Sequence, residues 1–260
     1  MRVTRVERVE AVARDEDGRW IPLSFDLEAT LAGDVSSEHG MVVNLTDVKK
    51  QLRERVVERL NGRRLDGSDA DAPELPTAEK LAQGIWDLLG GKLADRPLVR
   101  IRLVAARSPI VTWTGEEMRV TRSYEFSAAH RLHAASLSDT ENVLVFGKCN
   151  NPAGHGHNYV LEVTLAGRTG HAGELLPADV FDRIVESEVV DRWDHKHLNE
   201  DLPEFAGINP TAEEIARVAW RRLTAPLARA TDEAGTGARL ARIELHETAR
   251  NRVEYEGEDE

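Results

Sequence analysis

Short stretches of this chain alternate between apolar and polar residues, and longer stretches repeat their apolar residues at helical spacing. Every second residue from Tyr159 to Leu165 is apolar or aromatic, which predicts a strand with one buried face. Every fourth residue from Phe181 to Trp193 is apolar, which predicts an amphipathic helix that covers such a face.

The same part of the chain ends with a second predicted helix and two further predicted strands. The helix begins at Thr211, because Glu214 follows three residues later as in a capping box. The strands are predicted at about 239–248 and 251–256. With two strands before the helices, the order is ββααββ with antiparallel pairs, so the predicted fold class is α+β.

This pattern occurs twice. MRVTR at 1–5 recurs at 118–122, and LEATLAG at 27–33 recurs as LEVTLAG at 161–167. We interpret the chain as a tandem duplication with modules at 1–117 and 118–260. A repeat this long indicates two fused domains rather than a solenoid. The segment 66–74 is predicted to be a flexible connection between helices. Two further pairs match in the same order: LPTAEKLAQGIWDLL at 75–89 with NPTAEEIARVAWRRL at 209–223, and VRIRL at 99–103 with ARIEL at 241–245.

Composition and charge narrow the classes of function and the cellular locations that this chain could have. The formal net charge of −12 argues against a general nucleic-acid-binding protein, although a few local cations could still hold a small anionic substrate. No apolar run is long enough to span a membrane, and the N-terminal segment lacks the apolar core of a signal peptide. The single cysteine, Cys149, excludes an internal disulfide and suits a reducing compartment. We therefore expect a cytoplasmic protein.

Three histidines of the second copy predict a metal site. His155 and His157 are two residues apart at the start of a predicted strand, so both side chains fall on one face. His130 ends the preceding strand, which is the expected hairpin partner. Three neutral imidazoles with one open position are the usual form of a catalytic zinc site. The first copy lacks this site, since Ala13 stands opposite His130 and the stretch that carries HxH is much shorter.

Further candidate residues are also confined to the second copy. Cys149 lies in a polar turn near the predicted metal, where we expect a thiolate to be favoured. Asp194 and His195 form an adjacent pair after the helix, where the first copy has Asn61 and Gly62. Glu247 points to the same face as its apolar neighbours, which is costly for a charge without a partner. His133, His171, His197 and His246 are expected to have structural or solvent-exposed roles.

At these residues the second copy resembles a known family. FSAAHRLH, SLSDTENVLVFGKCNNPAGHGHNY, DHKHLN, NPTAEE and HETARN are similar to 6-pyruvoyl-tetrahydropterin synthase and to its relative 6-carboxytetrahydropterin synthase, over about 123–256. The first copy is similar at GMVVNLTDVKK (40–50), but its site is missing. The resemblance implies the tunnelling fold, in which ββααββ units associate into a barrel, and hence a homo-oligomer.

The resemblance also implies roles for the candidate residues. Zinc would be bound by His130, His155 and His157, and Cys149 would accept a proton with help from Asp194 and His195. The substrate would be 7,8-dihydroneopterin triphosphate, a small molecule, with neither nucleic acid nor membrane as partner. Glu247 would bind the pterin ring, and the remaining candidates for substrate contacts are Thr248, Thr211, Glu213, Arg131 and Lys148.

Three functions remain open from the sequence. The first is formation of 6-pyruvoyl-tetrahydropterin with release of triphosphate. The second is formation of 6-carboxytetrahydropterin with release of acetaldehyde and triphosphate, in the queuosine and deazapurine pathway, by the same residues. The third is a zinc- and pterin-binding protein that no longer catalyses, an interpretation supported only by the degenerate first copy.

Overall fold

The computed structural model describes residues 1–14, 19–65, 77–105 and 109–257. The connection predicted at 66–74 lies outside these residues. Within the described chain two compact units are present. The first comprises Met1–Val120 with Ala166–Leu175, and the second comprises Thr121–Leu165 with Leu176–Glu260.

The first unit is an antiparallel sheet with helices on one face. Its long strands follow the order β1-β2-β4-β5, and the short β3 pairs with β4. The core forms where Leu27 and Leu31 of the sheet and Leu52, Ile85 and Leu89 of the helices are completely buried. The elements are β1 (Arg2–Arg14), β2 (Trp20–Ala32), α1 (Leu45–Leu52), a π-turn (Arg53–Val57), α2 (Glu58–Leu60), α3 (Ala78–Leu89), β3 (Lys92–Leu93), β4 (Arg96–Val104) and β5 (Ile110–Trp113).

The second unit has the same plan. Its strands follow the order β6-β7-β9-β10, and β8 pairs with β6 in parallel. The elements are β6 (Met118–His130), α4 (Asp139–Phe146), a 3₁₀ turn (Gly147–Asn150), β7 (His155–Gly167), α5 (Ala178–Val185), a π-turn (Glu186–Val190), α6 (Asp191–Trp193), β8 (Lys196–His197), α7 (Leu198–Asp201), a 3₁₀ turn (Pro203–Phe205), α8 (Ala212–Glu233), β9 (Arg239–Thr248) and β10 (Asn251–Tyr255).

The periodicity of the sequence explains how the second unit packs. The apolar residues predicted to share one helix face, from Phe181 to Trp193, are all buried, even though a π-turn interrupts that helix. Trp193 packs edge-on against Phe126 of the sheet at 5.6 Å between ring centroids, and Phe126 stacks on Tyr159 at 5.0 Å. The prediction of an α+β fold with two helices over an antiparallel sheet is confirmed.

Two local features differ from the prediction. Helix α4 was not predicted, because its apolar residues Val143–Val145 are consecutive and exposed and show no helical period. At the start of α8, Thr211 accepts from the backbone N–H of Glu214 at 3.4 Å, as expected of an N-cap. The reciprocal half of the predicted capping box is not formed: the backbone N–H of Thr211 donates to the carbonyl oxygen of Asn209, and the Glu214 carboxylate accepts from Arg217.

The duplication is visible in matching contacts within each unit. In the first unit the hydroxyls of Thr4 and Thr30 are 2.9 Å apart, and in the second those of Thr121 and Thr164 are 2.8 Å apart. A π-turn directly follows α1 in the first unit and α5 in the second. Among the described residues, no helix has both the length and the apolar character needed to cross a membrane.

Candidate active site

Three imidazoles converge on one point of the second unit. His130 ends β6, while His155 and His157 begin the adjacent strand β7 and face the same side because they are two residues apart. One ring nitrogen from each residue lies within 4.8 Å of the others. The Nε2 atoms of His130 and His155 are 3.1 Å apart. The predicted grouping of these three residues is therefore present in the structure.

His130 is held in the form that a metal ligand requires. Its Nδ1–H donates to the carbonyl oxygen of Pro210 at 2.8 Å, which leaves the lone pair of Nε2 directed toward His155. The side chain is completely buried. Burial is the main reason that the pKa of His130 is lowered to about 4, so the ring is neutral at physiological pH. Burial also lowers the pKa of His155.

The donor set fits a zinc ion. The Nδ1 atom of His155 and the Nε2 atom of His157 are buried without a hydrogen-bond partner. Two nitrogens bound to one tetrahedral zinc at about 2.0–2.1 Å lie roughly 3.3 Å apart, close to the separation of the His130 and His155 nitrogens. Three imidazoles whose ring nitrogens converge, with the Nε2 atom of His157 left without a hydrogen-bond partner, form a site of the catalytic zinc type.

Glu247 completes the buried side of this cluster. On β9 its neighbours Ile243 and Leu245 are completely buried, and alternation along the strand directs Glu247 to the same face. Its Oε1 lies 3.7 Å from Nε2 of His130 and 3.8 Å from Nε2 of His157. The inward carboxylate therefore borders the three imidazoles.

Cys149 lies in the 3₁₀ turn that follows α4, and its carbonyl oxygen accepts from the backbone N–H of Leu132 at 2.8 Å. Burial, followed by the negative charge of Glu247, raises the pKa of the Cys149 thiol. Without a metal, the surrounding residues therefore disfavour a thiolate, and the expected effect of a nearby metal on the thiol stays a prediction. The polar neighbours that suggested a thiolate do not offset partial burial and the nearby carboxylate.

Asp194 and His195 form a connected pair. The Nδ1 atom of His195 lies 2.7 Å from Oδ2 of Asp194, and Oδ1 of Asp194 accepts from the backbone N–H of Ser127 at 2.8 Å. The Ser127 hydrogen bond is the main reason that the pKa of Asp194 is lowered. His195 has a left-handed backbone with φ of 58°, and its side chain is 82% exposed.

This pair lies at the edge of β6, next to the point where β8 pairs with Ala128 and Ala129. Side chains alternate along β6, so Ser127 projects to the face opposite that of His130. Consistently, the Ser127 hydroxyl donates to Asn158, which alternates with His157 on β7. In the part of the chain that the structure describes, no contact joins the pair to Cys149. The structure therefore places the Cys149 thiol within electrostatic range of Glu247, which borders the histidines, and leaves the pair unconnected to the thiol.

The first unit has the same turn without the chemistry. Oδ1 of Asn61 accepts from the backbone N–H of Glu10 at 2.9 Å, just as Asp194 accepts from Ser127. Gly62 adopts φ of 71° at the position of His195. Glycine tolerates this conformation more readily than histidine does, so the second unit retains a less favourable backbone at an exposed imidazole.

The cations predicted to bind phosphate border the site. Arg131 and Lys148 line a cavity of about 750 Å³ together with His155. The Nε atom of Arg131 is buried without a hydrogen-bond partner. The cavity thus places two cations beside a candidate metal ligand.

The remaining candidates for substrate contacts are Thr211, Thr248 and Glu213, and the hydroxyls of the first two form hydrogen bonds outside the histidine cluster. The Thr211 hydroxyl caps α8, and the Thr248 hydroxyl accepts from the backbone N–H groups of Arg250 and Asn251 in the turn between β9 and β10. No contact with the cluster is recorded for Glu213 in the described structure. Substrate contacts by Thr211, Glu213 and Thr248 remain predictions.

Sequence reasoning missed three asparagines that hold the segment after β6. Asn199 exchanges two hydrogen bonds with the backbone of Arg131, and Oδ1 of Asn209 accepts from the N–H of His133 at 2.9 Å. Asn150, next to Cys149, is buried and donates to the carbonyl of Leu132 at 2.7 Å. The only signal in the sequence was that these asparagines lie inside the motifs that resemble the family, namely FGKCNNPAGHGHNY, DHKHLN and NPTAEE.

A second group of potential ligands is better explained as an ion-pair network. Oxygen and nitrogen atoms of Glu162, Glu244 and His246 lie within 4.8 Å of one another. The guanidinium of Arg242 already contacts Glu244 at 3.2 Å and Glu162 at 4.0 Å. Arg252 also contacts Glu244, at 3.5 Å, so two cationic side chains offset the charge of these carboxylates without a metal.

Comparison with known proteins identifies the family. The model of the family described as 6-pyruvoyl tetrahydropterin synthase matches residues 23–115 and 119–258, which is most of the chain. This chain belongs to the 6-pyruvoyl tetrahydropterin synthase family. The two separate matches confirm the tandem duplication inferred from the repeats.

Individual members of the 6-pyruvoyl tetrahydropterin synthase family match about half of the chain. The 6-pyruvoyl tetrahydrobiopterin synthase of Poecilia reticulata is 39% identical over 140 residues, covering 54% of this chain and 90% of the relative. The Homo sapiens protein of the same name is 38% identical over 143 residues, covering 55% and 93%. The solved structure of the Caenorhabditis elegans 6-pyruvoyl tetrahydropterin synthase is 34% identical, covers 55% of this chain and 96% of its own, and has a TM-score of 0.48. The names of the Poecilia reticulata and Homo sapiens relatives show that the chain is an enzyme, of the lyase class.

Proposed function

We propose that this chain converts 7,8-dihydroneopterin triphosphate to 6-pyruvoyl-tetrahydropterin, with release of triphosphate, at a zinc site in its second unit. The observation that carries the proposal is the convergence of His130, His155 and His157 beside Glu247 and Cys149 in a member of this family. Zinc, when bound, acts as a Lewis acid toward oxygens of the substrate side chain and makes an adjacent C–H more acidic.

The chain's own residues bind and orient the substrate. The Glu247 carboxylate accepts hydrogen bonds from the 2-amino and ring N–H groups of the pterin. Arg131 and Lys148 bind the triphosphate in the adjoining cavity, and the unpartnered Nε of Arg131 offers a buried donor for an anion. The reacting side chain of the substrate is thereby held between the pterin ring bound by Glu247 and the triphosphate bound by Arg131 and Lys148.

Proton transfer is assigned to Cys149 with the Asp194–His195 pair. Because burial and Glu247 raise the pKa of Cys149, the thiol needs a partner that takes its proton before Sγ can act as a base. Asp194 accepts from Nδ1 of His195, which leaves Nε2 able to exchange that proton.

The position of this pair supports a site completed by a second chain. Asp194 and His195 lie at the edge of β6, without a contact to Cys149 of the same chain among the described residues, and His195 is largely exposed. Another copy of the chain can therefore present its own pair to Cys149. In this homo-oligomer the module at 118–260 provides the catalytic residues, and the module at 1–117 provides scaffold, because Ala13, Asn61 and Gly62 lack the required groups.

Mixing two inactive variants tests the shared site. Cys149→Ala and His195→Gly are each expected to be inactive, but mixed and reassembled oligomers should regain activity because some sites combine an intact Cys149 with an intact His195. His195→Gly reproduces Gly62 of the first unit, so it should fold without added strain. Activity that stays absent in mixed oligomers, shown to contain both chains by mass spectrometry, would contradict a site built from two chains.

Product analysis tests the proposed reaction. Zinc-loaded protein is incubated with 7,8-dihydroneopterin triphosphate, and products are identified by mass spectrometry. We expect 6-pyruvoyl-tetrahydropterin together with triphosphate. A 6-carboxytetrahydropterin product with acetaldehyde would assign the chain to the alternative reaction with the same site residues. Tight pterin binding without any product would instead indicate a protein that binds zinc and pterin but does not catalyse.

A further inference from the structure

His133 lies outside every role assigned above, yet it is at the centre of the hydrogen bonds around Cys149. Its Nδ1 is 3.1 Å from Nδ2 of Asn150 and 3.4 Å from Nη2 of Arg131. Asn150 directly follows Cys149 in the 3₁₀ turn, and Arg131 lines the cavity with Lys148. One imidazole nitrogen therefore contacts both the turn that carries the thiol and a proposed phosphate-binding side chain.

The partners of this nitrogen define its role. Nδ2 of Asn150 also donates to the carbonyl oxygen of Leu132 at 2.7 Å, and a carbonyl only accepts, so the amide presents N–H groups to both neighbours. An arginine nitrogen likewise has no lone pair to offer. Nδ1 of His133 must therefore be the acceptor for both groups, with the ring proton on Nε2.

The backbone of His133 is held independently of its side chain. Its N–H donates to Asn209 at 2.9 Å, while the preceding residue Leu132 bonds to Cys149 and Asn150 through its own backbone. Substitution of the imidazole therefore removes the acceptor without removing the segment's other anchors.

We propose that His133 is a positioning residue whose Nδ1 acceptor fixes the Cys149 turn through Asn150 and orients Arg131 toward the anion-binding cavity. The consequence for catalysis rests on the proposed role of Cys149 as proton acceptor. The proposed effect on the position of the Cys149 turn does not rest on that role, because the reactivity of the thiol reports the position directly. Cys149 is the single cysteine of the chain, so alkylation reports on this turn alone.

The matched variants are His133→Leu and His133→Asn in the zinc-loaded full chain. Leucine fills similar space without an acceptor, whereas Oδ1 of asparagine is attached to Cγ as Nδ1 is and can accept the same bonds. For His133→Leu we expect iodoacetamide to alkylate Cys149 about fivefold faster, as when one hydrogen bond no longer holds the turn closed. We expect kcat to fall by about ten- to a hundredfold through misplacement of the thiol, and KM to rise as Arg131 is released. His133→Asn should restore the alkylation rate and most of kcat, with zinc content unchanged in both variants.

Two results would overturn the proposal. One is an alkylation rate for His133→Leu equal to that of the unsubstituted protein. The other is equal impairment of the leucine and asparagine variants, which would indicate that the imidazole only fills space. If the leucine variant does not fold, His133→Gln replaces it, since its acceptor lies one bond further out. An altered alkylation rate in a protein that makes no pyruvoyl or carboxy product would support the positioning role while rejecting the proposed function.

Discussion

Replacement of His157 by alanine is expected to release zinc and abolish turnover. The substitution removes one of three imidazoles that meet within 4.8 Å, and a catalytic zinc site with two protein ligands binds weakly. Substitution of residues that only orient metal ligands already weakens binding by about 10–100-fold, so loss of a ligand should exceed this range. The measurement is zinc content per chain by elemental analysis after dialysis, together with the rate of triphosphate release.

Two comparisons make the zinc result specific. His171→Ala changes an exposed histidine of the first unit and should retain both zinc and activity. The unsubstituted protein should bind about one zinc per chain, because the carboxylates of the group formed by Glu162, Glu244 and His246 already pair with Arg242 and Arg252. Full zinc content in His157→Ala would exclude the proposed ligand set, and a second equivalent lost in His246→Ala would show that the ion-pair network binds metal after all.

Replacement of Cys149 by alanine is expected to lower kcat by about a thousandfold while leaving zinc bound. Loss of a proton-transfer group typically costs about 10²–10⁴ in rate, and no other cysteine in the chain can substitute. His130, His155 and His157 are unaffected by this change, so the two variants separate chemistry from metal binding. Single-turnover rates and zinc content, measured on the same sample, provide the test.

The duplicated turn provides a matched control for Asp194, the proposed partner of Cys149 in proton transfer. Asp194→Ala should lower kcat in addition to disrupting a backbone contact, whereas Asn61→Ala removes the equivalent contact in the first unit without touching the proposed chemistry. A similar loss of kcat in Asp194→Ala and Asn61→Ala would indicate that Asp194 has a purely structural role. Undiminished turnover in Cys149→Ala would require a different proton acceptor.

Much of the fold was predictable because its information is local. The two-residue period of β7 and the four-residue steps through α5 to Trp193 predicted which side chains are buried, and the structure confirms them. The exposed helix α4 has no such period, since consecutive apolar residues such as Val143 and Leu144 share no face. Its N-terminal signal, Ser138 with Glu141, forms a complete capping box. That signal lies outside the apolar pattern on which the prediction depended.

The candidate site was predictable only in part for the same reason. His155 and His157 share a face by spacing alone, and the inward position of Glu247 follows from alternation along β9. The direction of the Cys149 pKa could not be obtained in this way, because it depends on burial and on a carboxylate almost one hundred residues away in the chain. The amides of Asn150, Asn199 and Asn209 were also invisible, since nothing in their spacing indicates what they contact.

The sequence by itself determined the duplication, the α+β plan, the family and the residue types of the site, because repeats, periods and motifs are properties of neighbouring positions. Tertiary structure decided which groups meet. It brought His130 to His155 and Glu247, and it placed Asp194 and His195 at the edge of β6. It also gave His133 two donors to accept from. Such contacts depend on how loops return distant segments to one another, and that geometry is set by packing of the whole unit.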